Sequence, residues 1–338
     1  MNTIQTNRLQ QILAGALIVQ ILLAVWAFWP RQTATAASGP LLTNVTAADV
    51  SKLVISDVDR TLTLAKEDGE WVLPEAGNYP VTAENVTSLL ENIEKVQTNR
   101  LVTQTDSSHK RLQVAPDDFN RRLEITTSAG ETQTLYVGSS SGASATHVRL
   151  DGQPEVYLTG DLNAFEINPQ AGSWIDTLYF TVPQTATTKI TLENESGRFE
   201  FSRAGDGQPW TFSDLADGET LSENAVTSLL SQLSSLRMVE PLGQTEEASY
   251  GLADPLATVI LESESQTYTL QVGAKDEESG NYSFKASSSP YYVQVAQFTG
   301  DNLVNKTRAD FLEQLPAEGS SDQEETPLVI PLEPGTTE

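Results

Sequence analysis

Apolar residues fill one stretch of this chain without a polar face. Ile12–Trp29 holds a single polar side chain, Gln20, and no charge. As a helix it rises ~27 Å at ~1.5 Å per residue, close to the hydrocarbon thickness of a bilayer. A core helix keeps a polar stripe along its length, so the pattern predicts a single transmembrane helix over residues 12–29. Trp26, Phe28 and Trp29 supply an aromatic end suited to the membrane interface, and Pro30 and Arg31 close the helix. A cleavable leader is the competing reading. Ala34-Thr35-Ala36 fits an A-x-A site, but the apolar run exceeds the ~7–15 residues of a leader's core. Residues 1–11 are a short N-terminal arm. Arg31–Pro40 carries no large apolar side chain, and 30–44 reads as a flexible stalk.

Beyond the stalk the pattern changes period and is then repeated. Val86, Leu89, Leu90, Ile93 and Val96 follow the i, i+3, i+4, i+7 spacing of a helix, with Thr82 as N-cap and Glu84 in the first turn. About 140 residues later Val226, Leu229, Leu230, Leu233 and Leu236 do the same behind Ser222 and Glu223. The surroundings agree in order. Trp71 and Trp210 precede the two helices, and Leu112…Pro116 and Leu252…Pro255 follow them. Leu135-Tyr136-Val137-Gly138 then matches Leu270-Gln271-Val272-Gly273, and Val156-Tyr157-Leu158 matches Tyr291-Tyr292-Val293. The period is too long for a solenoid and predicts two related globular modules, 45–180 and 189–316, joined by a linker over 181–188.

Short runs of β-type residues bounded by turn formers surround each helix. The first module offers Lys52–Ser56, Thr61–Lys66, Glu70–Leu73, Arg122–Thr127, Thr132–Val137, His147–Leu150 and Glu155–Leu158. The second offers Lys189–Glu193, Phe199–Arg203, Trp210–Ser213, Ala257–Glu262, Thr267–Val272, Tyr282–Ala286 and Tyr291–Val295. Strands adjacent in sequence with one helix per module predict an α+β fold, each antiparallel sheet covered by one helix. Trp71 and Trp210 are expected as core anchors. Residues 317–338 carry Glu318, Asp322, Glu324, Glu325, Glu333 and Glu338 and no basic residue, and are expected as a disordered acidic tail around the small apolar island Leu328-Val329-Ile330.

Charge narrows the partners. Lys and Arg number 20 against 46 Asp and Glu, a net charge of −26. That speaks against binding nucleic acid or an anionic lipid surface and favours a neutral or cationic partner. The absence of cysteine excludes disulfides, thiolate zinc sites and a cysteine nucleophile. Arg8 and Arg31 nearly balance across the span, so basic residues say little about orientation. A short arm before a large C-terminal part most simply inserts with its N-terminus in the cytoplasm and the modules extracytoplasmic, at the cell membrane.

Catalytic motifs are few. Gly138-Ser139-Ser140-Ser141-Gly142 matches G-x-S-x-G, which as a nucleophile elbow needs a strand before it and a helix after it. Here a second strand follows, and a Ser/Gly hairpin loop is expected instead, with a serine hydrolase using Ser140 as a minor reading. The two histidines, His109 and His147, have no counterpart in the second module and are expected on the solvated surface. Asp276-Glu277-Glu278-Ser279-Gly280-Asn281 is an acidic loop that reads as a hairpin tip rather than a calcium site. Asn44-Val45-Thr46 and Asn85-Val86-Thr87 match the N-glycosylation pattern, which polar sequences often produce. No catalytic, cofactor-binding or metal-ligating residue is assigned, and no cofactor is expected.

Asp68-Gly69-Glu70-Trp71, the helix after it, Tyr250-Gly251-Leu252-Ala253-Asp254-Pro255, Val272-Gly273 and Tyr291-Tyr292-Val293 together resemble the bacterial membrane-anchored proteins of domain-of-unknown-function family 4340. The resemblance spans most of Val50–Leu315. The first module departs from it at Lys110-Arg111-Leu112, where Tyr-Gly-Leu is expected. It implies a bacterial envelope protein, often associated with ABC-type transport and gliding-motility auxiliary components, and carries over no catalytic residue. The expected function is therefore a non-enzymatic, single-pass accessory or scaffold beside a transport complex. The alternative is an extracytoplasmic module binding a glycan, peptide or cation in a cleft between the two modules.

Overall fold

The computed structural model describes residues 15–20, 39–43, 45–142, 145–263 and 265–313. Of the predicted span Ile12–Trp29, only 15–20 is described, as an exposed helical stretch. The rest of the span lies outside the described residues, as does the predicted tail 317–338. Among the described residues no helix is long and apolar enough to cross a membrane.

In chain order the elements are β1 (Val50–Ser56), β2 (Thr61–Glu67), β3 (Glu70–Leu73), β4 (Tyr79–Pro80), α1 (Ala83–Lys95), β5 (Leu101–Thr103), β6 (Val114–Ala115), β7 (Asp118–Phe119), β8 (Arg121–Thr127), β9 (Thr132–Ser140), β10 (Thr146–Leu150) and β11 (Val156–Thr159). There follow β12 (Leu178–Thr181), β13 (Thr187–Asn194), β14 (Gly197–Ser202), β15 (Thr211–Phe212), α2 (Glu223–Leu233), β16 (Ser235–Arg237), β17 (Glu240–Gly243), β18 (Ala257–Ser263), β19 (Thr267–Lys275), β20 (Tyr282–Ala286), β21 (Tyr292–Val295) and α3 (Gln297–Val304). All fourteen expected strands are present, within one to three residues at each end. The protein is α+β and mainly β.

The described residues divide into two compact units. Unit 1 takes those up to Lys66 with Ala83–Gln170, and unit 2 takes Glu67–Thr82 with those from Ala171. Unit 1 is an antiparallel sheet of order β2-β1-β8-β9-β10-β11-β5. Unit 2 carries the order β15-β14-β13-β18-β19-β20-β21-β17. From β2 and β14 onward the two orders match strand for strand, so the sequence repeat is also a repeat of topology.

Period-two patterning sets the register of both sheets. In unit 1, Leu62, Ile55, Leu123 and Leu135 stand side by side across four strands. In unit 2 the same row is Phe199, Leu192, Val259 and Leu270. All eight are buried, each contributing about 1.5–3 kcal/mol by burial. The helices bury the expected stripes, Val86, Leu89, Leu90 and Ile93 in α1 and Val226, Leu229, Leu230 and Leu233 in α2. Trp71 and Trp210 are buried.

Several expectations change. Ser222 holds the N-cap position of α2, but its side chain makes no capping bond. Glu223 instead accepts the backbone N–H of Trp210 at 3.0 Å, tying β15's entry to the helix start. The end of the expected stalk is docked on unit 1: Leu41 and Leu42 are buried, Leu41 N–H donates to Val96 O at 2.9 Å, and Gln133 Nε2 donates to Thr43 O at 2.9 Å. Two leucines at the foot of the stalk are too apolar to stay in water. Residues 181–188 are not a free linker either. They include the end of β12, a 3-10 turn at Gln184–Ala186 and the start of β13, and Val182 N–H donates to Ser234 O at 3.1 Å. Burial of Val182 and Thr187 draws the segment into unit 2.

The close of unit 2 is an ionic clasp. Arg308 Nε donates to Asp214 Oδ2 at 3.0 Å, and its Nη1 donates to Glu219 Oε1 at 2.7 Å. The guanidinium hydrogen bond, with the Ala216 N–H, holds the Glu219 carboxyl down to about 2 from its ordinary 4.5. A depressed carboxyl contributes stability that is complete above its unfolded pKa and is lost as pH falls through the folded one. The unit 2 stability that depends on Glu219 should therefore disappear between about pH 4.5 and about pH 2. Urea midpoints of the parent and of Glu219→Gln should differ at about pH 6 and converge as pH falls through that window. A gap that persists unchanged at about pH 2 contradicts the assignment.

Candidate functional site

The hairpin β9–β10 opens a cleft of about 770 Å³ on unit 1. Its floor comes from facing strand ends: Ser140 closes β9, Thr146 opens β10, and the two are register partners. Asn120 and Arg121 flank it at the start of β8, and the turn Asn163–Glu166 after β11 forms the far wall. G-x-S-x-G thus lies on a strand-to-strand hairpin with no helix behind Ser140.

Burial and bonding differ from expectation at both histidines, which are only 8% exposed. His147 Nδ1 lies 2.7 Å from Ser139 O and 3.2 Å from Ser139 Oγ. A carbonyl only accepts, so Nδ1 carries the proton and cannot take one from Ser139. Ser139 Oγ donates to Leu112 O at 3.3 Å. The Nδ1–H of His147 is therefore engaged in a structural bond to Ser139. His109 Nε2 lies 3.0 Å from Pro154 O. Backbone carbonyls draw both rings inward, a signal invisible in side-chain spacing.

Arg121 is the cation of the cleft, and its Nε and Nη1 donors are committed. Nε donates to Ile167 O at 2.9 Å, Nη1 donates to Asn120 O at 2.7 Å, and the Asp57 carboxylate lies 3.8 Å from Nη1. Glu166 is the acid, and it is committed as well. Its Oε2 accepts from Asn163 N–H and Nδ2, both at 2.8 Å, and its Oε1 accepts from Asn92 Nδ2 at 3.0 Å. Asn163 Oδ1 in turn accepts the Phe165 N–H at 2.9 Å. This reciprocal cap fixes the turn and leaves Phe165 91% exposed at the rim. Ser140 was singled out from the motif alone; Asn120, Arg121, Thr146 and Phe165 carry no motif and were not.

Elsewhere, the acidic loop is a hairpin tip. Asp276 Oδ1 accepts from Ser279 N–H and Ser279 Oγ, both at 2.7 Å, and these bonds lower the Asp276 carboxyl below its ordinary value. Among the described residues no group of three or more metal-ligating side chains is placed to hold an ion.

The glycines that end the Leu-Tyr-Val-Gly and Leu-Gln-Val-Gly strands have a common cause. A Cβ at Gly138 would stand 2.1 Å from Leu112 O, and one at Gly273 2.0 Å from Tyr250 O. A loop backbone crosses each strand at contact distance. That equivalence aligns Leu112-Gln113-Val114 with Tyr250-Gly251-Leu252. Gln113 at φ 56° and Gly251 at φ 63° share the left-handed conformation. The departure expected at Lys110-Arg111-Leu112 therefore moves two residues along, to a glutamine where glycine is the natural choice.

A family model described as "Domain of unknown function (DUF4340)" matches residues 71–255 and again 210–323. The chain belongs to this family. The DUF4340 matches start at Trp71 and Trp210, the paired landmarks of the repeat. No curated protein matches the chain. No solved structure matches it. The family description names no activity, so the cleft's chemistry has to be read from its own residues.

Proposed function

We propose that this DUF4340 chain is a single-pass bacterial envelope protein, anchored by Ile12–Trp29 with both units extracytoplasmic, acting as a non-enzymatic accessory or scaffold beside an ABC-type transport complex. The observation that carries the reading is the uncharged apolar run ahead of an acidic chain of net charge −26. A chain so acidic suits a neutral or cationic partner. The G-x-S-x-G motif lies on a hairpin between β9 and β10 and not on a strand-to-helix elbow, which supports a role without hydrolysis. The link to transport is what the family resemblance implies.

Affinity purification of the full chain from native membranes in mild detergent tests the reading, beside a form lacking residues 12–29. Transporter subunits are expected with the anchored form alone. Recovery of no specific partner by either form refutes the accessory role. A second reading, an extracytoplasmic ligand-binding protein, is favoured by the cleft of unit 1.

A further inference from the structure

The internal repeat supplies its own comparison for the cleft. The register pair Ser140–Thr146 of unit 1 corresponds to Lys275–Tyr282 of unit 2. In unit 2 that place is filled. The Tyr282 ring packs on Gly300 of α3 so closely that a Cβ there would lie 2.1 Å away. Tyr282 Oη donates to Asp301 Oδ1 at 2.6 Å, and Lys275 Nζ donates to the same oxygen at 3.1 Å. Unit 1 has a hydroxyl in place of each large side chain, and an irregular turn where α3 would lie. What is packed shut in one copy of the fold stands open in the other.

The opening has a definite chemistry. Thr146 and Ser140 both line the cleft, and neither hydroxyl is bonded to another described residue. The charges of Arg121 and Glu166 are answered within the protein, and the Asn120 amide is taken too, its Oδ1 accepting from Arg121 Nη1 at 3.1 Å and its Nδ2 donating to Gly138 O at 3.5 Å, so the cleft offers a ligand hydroxyls rather than net charge. Phe165 adds a flat apolar face, held in place by the Asn163–Glu166 cap. The volume of about 770 Å³ falls within the roughly 300–1,000 Å³ of small-molecule sites.

Hydroxyls beside an aromatic face match a ligand with hydroxyls on its edge and C–H groups on its face. We propose that the unit 1 cleft binds a neutral saccharide, with a sugar ring resting on Phe165 and its hydroxyls bonded by Thr146 and Ser140. The proposal deepens the ligand-binding reading and is independent of any transport partner.

The test uses the full chain in a detergent without a sugar headgroup, titrated calorimetrically with three probes. These are a β-1,4-linked N-acetylglucosamine tetramer, a linear α-1,4-glucan tetramer and a linear β-1,4-glucan tetramer. At least one is expected to bind saturably. Phe165→Ala, a surface change that leaves the fold intact, should weaken it by roughly ten-fold or more. Thr146→Tyr, which fills the cleft as unit 2 does, should abolish it. The proposal is overturned if no probe binds the folded parent, or if Phe165→Ala binds as the parent does. A Phe165→Ala protein that loses a co-purifying protein but binds saccharide unchanged also overturns it. Loss of saccharide binding with transporter subunits still recovered would separate the fate of this site from that of the accessory role.

Discussion

Phe311→Ala should destabilise unit 2 by about 3–5 kcal/mol, the usual cost of removing a fully buried aromatic side chain. Phe311 is 0% exposed, with its ring 4.7 Å from Phe201 and 5.5 Å from Phe199. Phe201 in turn stacks on Phe212 at 5.0 Å. The residue is brought in from the end of the described chain and held by its backbone: Ser222 N–H donates to Phe311 O at 2.9 Å. Truncation leaves a cavity that this pinned backbone cannot collapse to fill. The three described tryptophans, Trp71, Trp174 and Trp210, all lie in unit 2, so denaturant unfolding followed by tryptophan fluorescence reads the affected unit. Phe298→Ala is the control. That ring is 73% exposed, and its loss should cost no more than about 0.5 kcal/mol. Equal effects at the two positions would contradict the packing described.

Gly273→Ala should cost unit 2 about 2 kcal/mol or more through overpacking. The added Cβ meets a backbone carbonyl, Tyr250 O at 2.0 Å, and not the tip of a flexible side chain. Relief requires moving the Tyr250–Leu252 loop, whose buried Tyr250 ring packs at a tilt against Tyr292 with centroids 5.7 Å apart. The loss appears even though Gly→Ala normally stabilises by about 0.4–1 kcal/mol through the unfolded chain. Gly205→Ala, with open space around the new Cβ, isolates that second effect and should be neutral or slightly stabilising. The same fluorescence-detected denaturation distinguishes the two. Wild-type stability in Gly273→Ala would show that the loop does not cross the strand as described.

Much of the fold was legible because burial enforces period. The rows through Leu123 and Val259 alternate cleanly, and the helical stripes fit one spacing, so both unit sheets and the helices Ala83–Lys95 and Glu223–Leu233 were found. The elements missed are those that tertiary contacts create. Pro241 inside β17 argues against a strand, and only pairing with β21 at the sheet edge makes it one. In α3, Phe298 is exposed while Gly300 and Leu303 are buried, a pattern with no helical stripe to read. Short segments at the unit margins, such as Leu41–Leu42 and Val182–Thr187, were read by composition as stalk and linker but are held by backbone bonds. The cleft was the least legible feature. It exists because small residues stand where the second copy has Lys275 and Tyr282, and because Asn163 and Glu166 fix a turn that no motif announces.

The measurement that bears most directly on the proposed placement is protease accessibility of the full chain in intact spheroplasts, followed by the same digestion after lysis. If Ile12–Trp29 anchors the chain with both units outside the cytoplasm, externally added protease should degrade units 1 and 2 before lysis while a cytoplasmic marker survives. Units that stay intact until the membrane is broken would place them in the cytoplasm and contradict the account.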